Sequence, residues 1–120
     1  MAASASISFS GAWTSRPSIE KVIRLDVALK VAKFYRHESC GKCTPCREGT
    51  NWTVRMLERI ESGEATPMDL DIMASVQEHI MGNCLCVLGD AMAMPISSMI
   101  VKFREEFESH MQSRQLEGVA

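Results

Sequence analysis

From residue 22 onward the apolar residues recur at steps of three and four, and nowhere do they alternate in twos long enough to make a sheet. In "VIRLDVALKVAKFYRHE" the residues Val22, Leu25, Leu29, Ala32 and Tyr35 keep that spacing, with Ala28 and Val31 beside them. A second stripe runs through Trp52, Met56, Leu57 and Ile60 and stops at Ser62-Gly63, where glycine takes the left-handed position that ends a helix. The third helix starts at Thr66 as N-cap, with Pro67 first and Asp69 placed for a capping box. Leu70, Met73, Val76 and Ile80 form its buried side, and Gly82 ends it. Pro95 is expected to open a fourth helix with Ile96, Met99, Ile100, Phe103 and Phe107 on one face and Lys102, Arg104, Glu105 and Glu108 mostly on the other. The pattern predicts an all-α fold, a four-helix bundle. The expected domain spans 18–112, between a flexible Ala/Ser-rich tail at 1–17 and a C-terminal tail at 113–120.

Composition bounds what this bundle does. The chain of 120 residues is one domain long, and with 46% apolar but only 6% aromatic residues, Leu, Ile, Val, Met and Ala must fill its core. The nine methionines suggest helix packing, and Trp52 and the methionines at helical spacing are expected in that core. A net charge of -2 and a pI near 5.9 exclude a nucleic-acid binder, which needs a basic patch to neutralise phosphates. No apolar run approaches the roughly 20 residues that span a bilayer. The opening "MAASASISFSGAW" lacks the basic and apolar regions of a secretory signal, and Arg16 alone is too little for a mitochondrial transit peptide. A soluble, cytoplasmic chain is expected. The polar pair His37 and Glu38 reads as solvated or capping, and His79 and His110 as surface residues.

Five cysteines carry the chemistry, an odd number that favours metal or redox use over structural disulfides. Cys40, Cys43 and Cys46 are expected in the connection between helices one and two, and Cys84 and Cys86 between helices three and four. In an up-and-down bundle those connections emerge at the same end, so the groups can meet. Gly41 and Pro45 shape the first loop, while Lys42, Arg47 and the start of helix two bring positive charge to its thiolates. Beyond the thiolates, little else in that loop is expected to organise it. A four-cysteine zinc site, which would make the chain a structural interaction module, usually draws its ligands as two pairs two to four residues apart; here a triple faces a pair one residue apart. A dithiol redox site at Cys43-Thr44-Pro45-Cys46 would sit near a strand-helix-strand unit that the pattern lacks. A single [4Fe-4S] cluster, taking three thiolates at steps of three and one from elsewhere, fits the spacing best. Spacing does not choose between Cys84 and Cys86 for the fourth.

"FYRHESCGKCTPCREGT", followed by "CVLGDAMAMPI", resembles the C-terminal iron-sulfur domain of the flavoprotein subunit of NADH:quinone oxidoreductase, respiratory complex I, and is similar to domains of NAD-linked hydrogenases and formate dehydrogenases. The resemblance runs from about residue 25 to residue 112 and implies one [4Fe-4S] cluster on a four-helix bundle. That cluster would relay single electrons from FMN, reduced by NADH, toward further clusters and quinone. Carried over by motif, the ligands are Cys40, Cys43, Cys46 and Cys86, the last because it stands two residues before Leu88-Gly89-Asp90. The implied partners are a flavin/NADH domain and other iron-sulfur subunits of a peripheral arm at the inner membrane face, without membrane insertion. No Gly-rich phosphate loop accompanies the match, so FMN and NAD are expected only on a missing or partner domain, and this chain alone is not expected to oxidise NADH.

Overall fold

The computed structural model describes residues 17–119, and the side chains of 24–118. It is all-α, with five helices among the described residues: α1 (Pro17–Glu38), α2 (Thr44–Ser62), α3 (Pro67–Ile80), α4 (Leu88–Lys102) and α5 (Arg104–Val119). Consecutive helices lie against each other from α1 to α4, α4 returns to α1, and α5 lies across α2, α1 and α4. The expected tail at 1–17 falls almost wholly outside the described residues, and helix continues at the other end to Val119, its last turns exposed.

The periodicity locates the core well in the first three helices. Leu25, Ala28, Leu29 and Ala32 of α1 are buried against Val54, Leu57 and Ile60 of α2 and Leu70, Met73 and Ile80 of α3, in one continuous cluster. Gly63 ends α2 at φ 83 with its N–H on the last carbonyls, and the Glu64 N–H reaches the Arg59 carbonyl at 3.0 Å. At the start of α3 the Thr66 N–H donates to the Asp69 carboxylate at 2.8 Å, the reciprocal arm of a capping box.

Two expectations fail in the last third of the chain. Pro95 does not open a helix; α4 begins seven residues earlier, at Leu88, and carries the proline inside. Ala and Met are strong helix formers, Asp90 suits the first turn, and one missing backbone N–H is tolerated when Ala93, Ile96 and Ile100 are buried on the same helix. The predicted single long helix also breaks at Phe103, which gives five helices rather than four. No glycine or proline marks that break. Tertiary contacts flank it, the Arg24 guanidinium lying 4.4 Å over the Phe103 ring and pairing with Glu106. Beyond the break, Phe107 and Met111 are buried, so α5 belongs to the core rather than fraying.

Candidate metal centre

The site begins at the N-terminus of α2. Cys43 is its N-cap residue, with extended backbone at φ -89 and ψ 126, and Thr44 and Pro45 follow as its first residues. Cys46 is therefore not in the loop, as expected, but in the first helical turn, where it is buried with 6% of its surface exposed. Pro45 explains the earlier start, because a proline at the first turn lacks only an amide that has no helical partner. Cys40 is exposed and Cys43 half-buried. The helix directs its positive end at this group.

The connecting loop is braced by its own bonds, beyond the thiolates that were expected to dominate it. The Ser39 N–H donates to the Tyr35 carbonyl at 3.0 Å, and the Gly41 N–H donates to the Ser39 hydroxyl at 3.3 Å. The Gly41 carbonyl accepts from Arg47 Nη1 at 2.7 Å. Gly41 turns at φ 77, a conformation that other residues resist.

The second cysteine group meets the first. The Leu85 N–H donates to Cys43 Sγ at 3.3 Å, across 42 residues of sequence. Near that contact the chain packs closely around Ile80, the last residue of α3. A Cβ on Gly49 of α2 would stand 2.5 Å from Ile80 Cδ1, and one on Gly89 of α4 would stand 2.8 Å from Cys84 Sγ and 3.0 Å from Ile80 Cγ2. Two glycines thus let three helices close on one side chain beneath the cysteines. Gly89 stood out in the sequence only as part of Leu88-Gly89-Asp90, and neither Gly49 nor a buried polar link between α2 and α3 stood out at all. There Gln77 Nε2 donates to Thr53 Oγ1 at 2.8 Å, and Thr53 donates to the Gly49 carbonyl at 2.8 Å. A glutamine on the apolar stripe between Met73 and Ile80 was the available clue.

Cys84 and Cys86 occupy different surroundings. Cys84 is half-buried against the core and donates to the Ile80 carbonyl at 3.6 Å. Burial, and then the negative charges of Cys46 and Cys43 nearby, push its thiol up, partly offset by the Cys46 backbone amide. Cys86 is exposed at a turn whose neighbours Leu85 and Val87 are 81% and 77% exposed. The structure thus brings Cys84 against Cys43 and Cys46, while Cys40 and Cys86 lie at the surface. Among the described residues, no three His, Cys, Asp or Glu are grouped to hold a single metal ion. None of the five cysteines is in a disulfide.

Other singled-out residues sit apart from the sulfurs. His37 and His79 are exposed, His79 being 2.7 Å from the Ser75 carbonyl, whereas His110 is half-buried with Nε2 enclosed, contrary to its expected surface position. Trp52 is not a core residue: it is 52% exposed and lines an open groove of about 850 Å³ between α2 and α3. Met73, Met92 and Met111 are in the core, but Met68 and Met94 are exposed.

Residues 26–110, from within α1 to within α5 and including every cysteine, match the NADH-ubiquinone oxidoreductase-F iron-sulfur binding region. This chain belongs to that family. It is 47% identical over 85 residues to a NADH-quinone oxidoreductase subunit of Rhodobacter capsulatus, covering 71% of this chain and 20% of the relative. It is 42% identical over 83 residues to the mitochondrial NADH-ubiquinone oxidoreductase 51 kDa subunit of Aspergillus niger, covering 69% and 17%. Its fold superposes on a NAD+-reducing [NiFe]-hydrogenase in the H2-reduced state with TM-score 0.68 and 34% identity, over 72% of this chain and 15% of that one. The chain spans about a fifth of the length of the curated relatives it matches.

Proposed function

We propose that this chain is a one-electron relay, holding a single [4Fe-4S] cluster on Cys40, Cys43, Cys46 and Cys86. The observation that carries the reading is the Leu85 N–H bond to Cys43 Sγ, which joins the two cysteine segments of a chain from an iron-sulfur family. The donor set fits the group: four thiols, none consumed in a disulfide, lie on loops and a helix start that supply N–H groups and positive charge. When bound, the cluster supplies one-electron acceptance and release.

The chain's own residues do the rest. The α2 N-terminus and Arg47 counter the negative charge of the thiolates, and burial of Cys46 keeps water from that sulfur. Cys86 is the preferred fourth ligand by its place before Leu88-Gly89-Asp90 and because its exposed side chain is free of the packing that engages Cys84. Recruiting Cys84 would disturb its fit against Ile80 and Gly89. In this reading the electrons come from FMN reduced by NADH on a domain or partner outside this chain. They leave toward further clusters of an oxidoreductase complex, in a peripheral arm at the cytoplasmic face. No helix among the described residues is long and apolar enough to cross a membrane.

Anaerobic reconstitution with iron and sulfide, followed by electron paramagnetic resonance of the reduced protein, tests this. One [4Fe-4S]-type signal with about four irons per chain is expected. Stoichiometric zinc with no cluster would instead establish a structural interaction domain.

A further inference from the structure

We propose that Ser39 raises the reduction potential of the bound cluster by donating a hydrogen bond to the Cys46 sulfur, an inference that rests on Cys46 being a ligand. Ser39 Oγ lies 3.2 Å from Cys46 Sγ. The same oxygen accepts the Gly41 N–H at 3.3 Å, and the Ser39 backbone is fixed to Tyr35, so the hydroxyl is held in place from two sides. A ligand cysteine is a thiolate and carries no proton. The hydroxyl is then the sole donor of the pair, and its proton points at sulfur.

The direction of the effect follows from charge. Cys46 is buried, so the bond is little diluted by water. Reduction of a bound cluster by one electron from dithionite would leave its ligand sulfurs, Cys46 among them, more negative. The Ser39 proton stays on its oxygen, the hydrogen bond strengthens, and the reduced state is favoured. Leu85 makes a comparable bond to Cys43 through its backbone, but a side-chain substitution does not remove that donor. Ser39 is thus a positioning and tuning residue.

The test uses the whole chain reconstituted anaerobically, titrated with dithionite while paramagnetic resonance reads the reduced fraction. Ser39→Ala and Ser39→Val are each expected to lower the reduced-to-oxidised ratio at fixed potential by about tenfold, or about 59 mV for one electron. Ser39→Thr, which has the shape of the valine variant and keeps the hydroxyl, is expected to stay within about twofold of wild type. Equal potentials for the Thr and Val variants would overturn the proposal. Loss of the cluster from both Ala and Val variants but not from Thr would make Ser39 a brace alone and overturn it as well. A wild-type chain that takes up no cluster fails the ligand reading before any variant is compared, and the tuning role falls with it.

Discussion

In the proposed reading Cys84 and Cys86, two positions apart, divide the second cysteine segment between packing and ligation. Cys86→Ser is expected to lose or convert the cluster, and Cys84→Ser to retain it, measured by iron content and by the spectrum of the reduced protein. Retention in Cys86→Ser with loss in Cys84→Ser would reverse the assignment. Beneath them Ile80 meets Gly49 and Gly89 at distances that admit no extra methyl group. Ile80→Ala should destabilise the chain by about 2–5 kcal/mol, because the helices around the hole relax only partly. Urea unfolding with an unchanged slope would measure it. The same variant should release iron faster to a chelator, since the contact it removes is the one over which the cysteine segments close.

At the scale of elements, the join between α3 and α5 is electrostatic and exposed. Arg104 Nη1 bonds Asp71 at 2.7 Å while its Nε bonds Glu108 at 3.0 Å. The Arg104 hydrogen bond holds the Asp71 carboxyl below the usual carboxylate range. A depressed folded pKa means stability that is present above the unfolded value and lost as pH falls through the folded one. Asp71→Asn should therefore be slightly less stable than wild type at neutral pH, with the difference fading as pH drops below about 4. Melting temperatures across that range check the sign, and added salt should shrink the gap. The α2 terminus offers a sharper test. Gly63 has φ 83, and a Cβ there would stand 2.3 Å from the Arg114 Cβ. Gly63→Ala should cost more than about 1 kcal/mol, from left-handed strain together with displacement of α5.

For the molecule as a whole, the proposed reading links cluster and fold, because its ligands come from two distant segments of the sequence that folding brings together. Reconstitution should raise the melting temperature by about 10 °C or more relative to the cluster-free chain, read by circular dichroism at 222 nm. Equal melting temperatures would show that the cluster, if bound, adds nothing to the fold. The chain by itself is expected neither to bind FMN nor to oxidise NADH, as no phosphate-cradling glycine loop lies among the described residues; a saturable flavin titration would contradict this.

What the sequence by itself determined is the part set by local rules. Helical periodicity, the Thr66 cap, the Gly63 stop and the cysteine spacing each depend on residues within a few positions of one another, so they were legible without coordinates. Tertiary structure decided the rest. The break at Phe103 carries no glycine or proline signal and lies where Arg24, far away in the chain, packs on the ring, and Pro95 sits inside a helix whose neighbouring residues are buried. Trp52 keeps helical spacing yet faces an open groove, since periodicity gives a face and not what covers it. The Ser39 bond to Cys46 and the placing of Cys84 against the first cysteine group arise only where the end of α1, the start of α2 and the end of α3 come together. Such contacts join positions whose proximity no local pattern encodes.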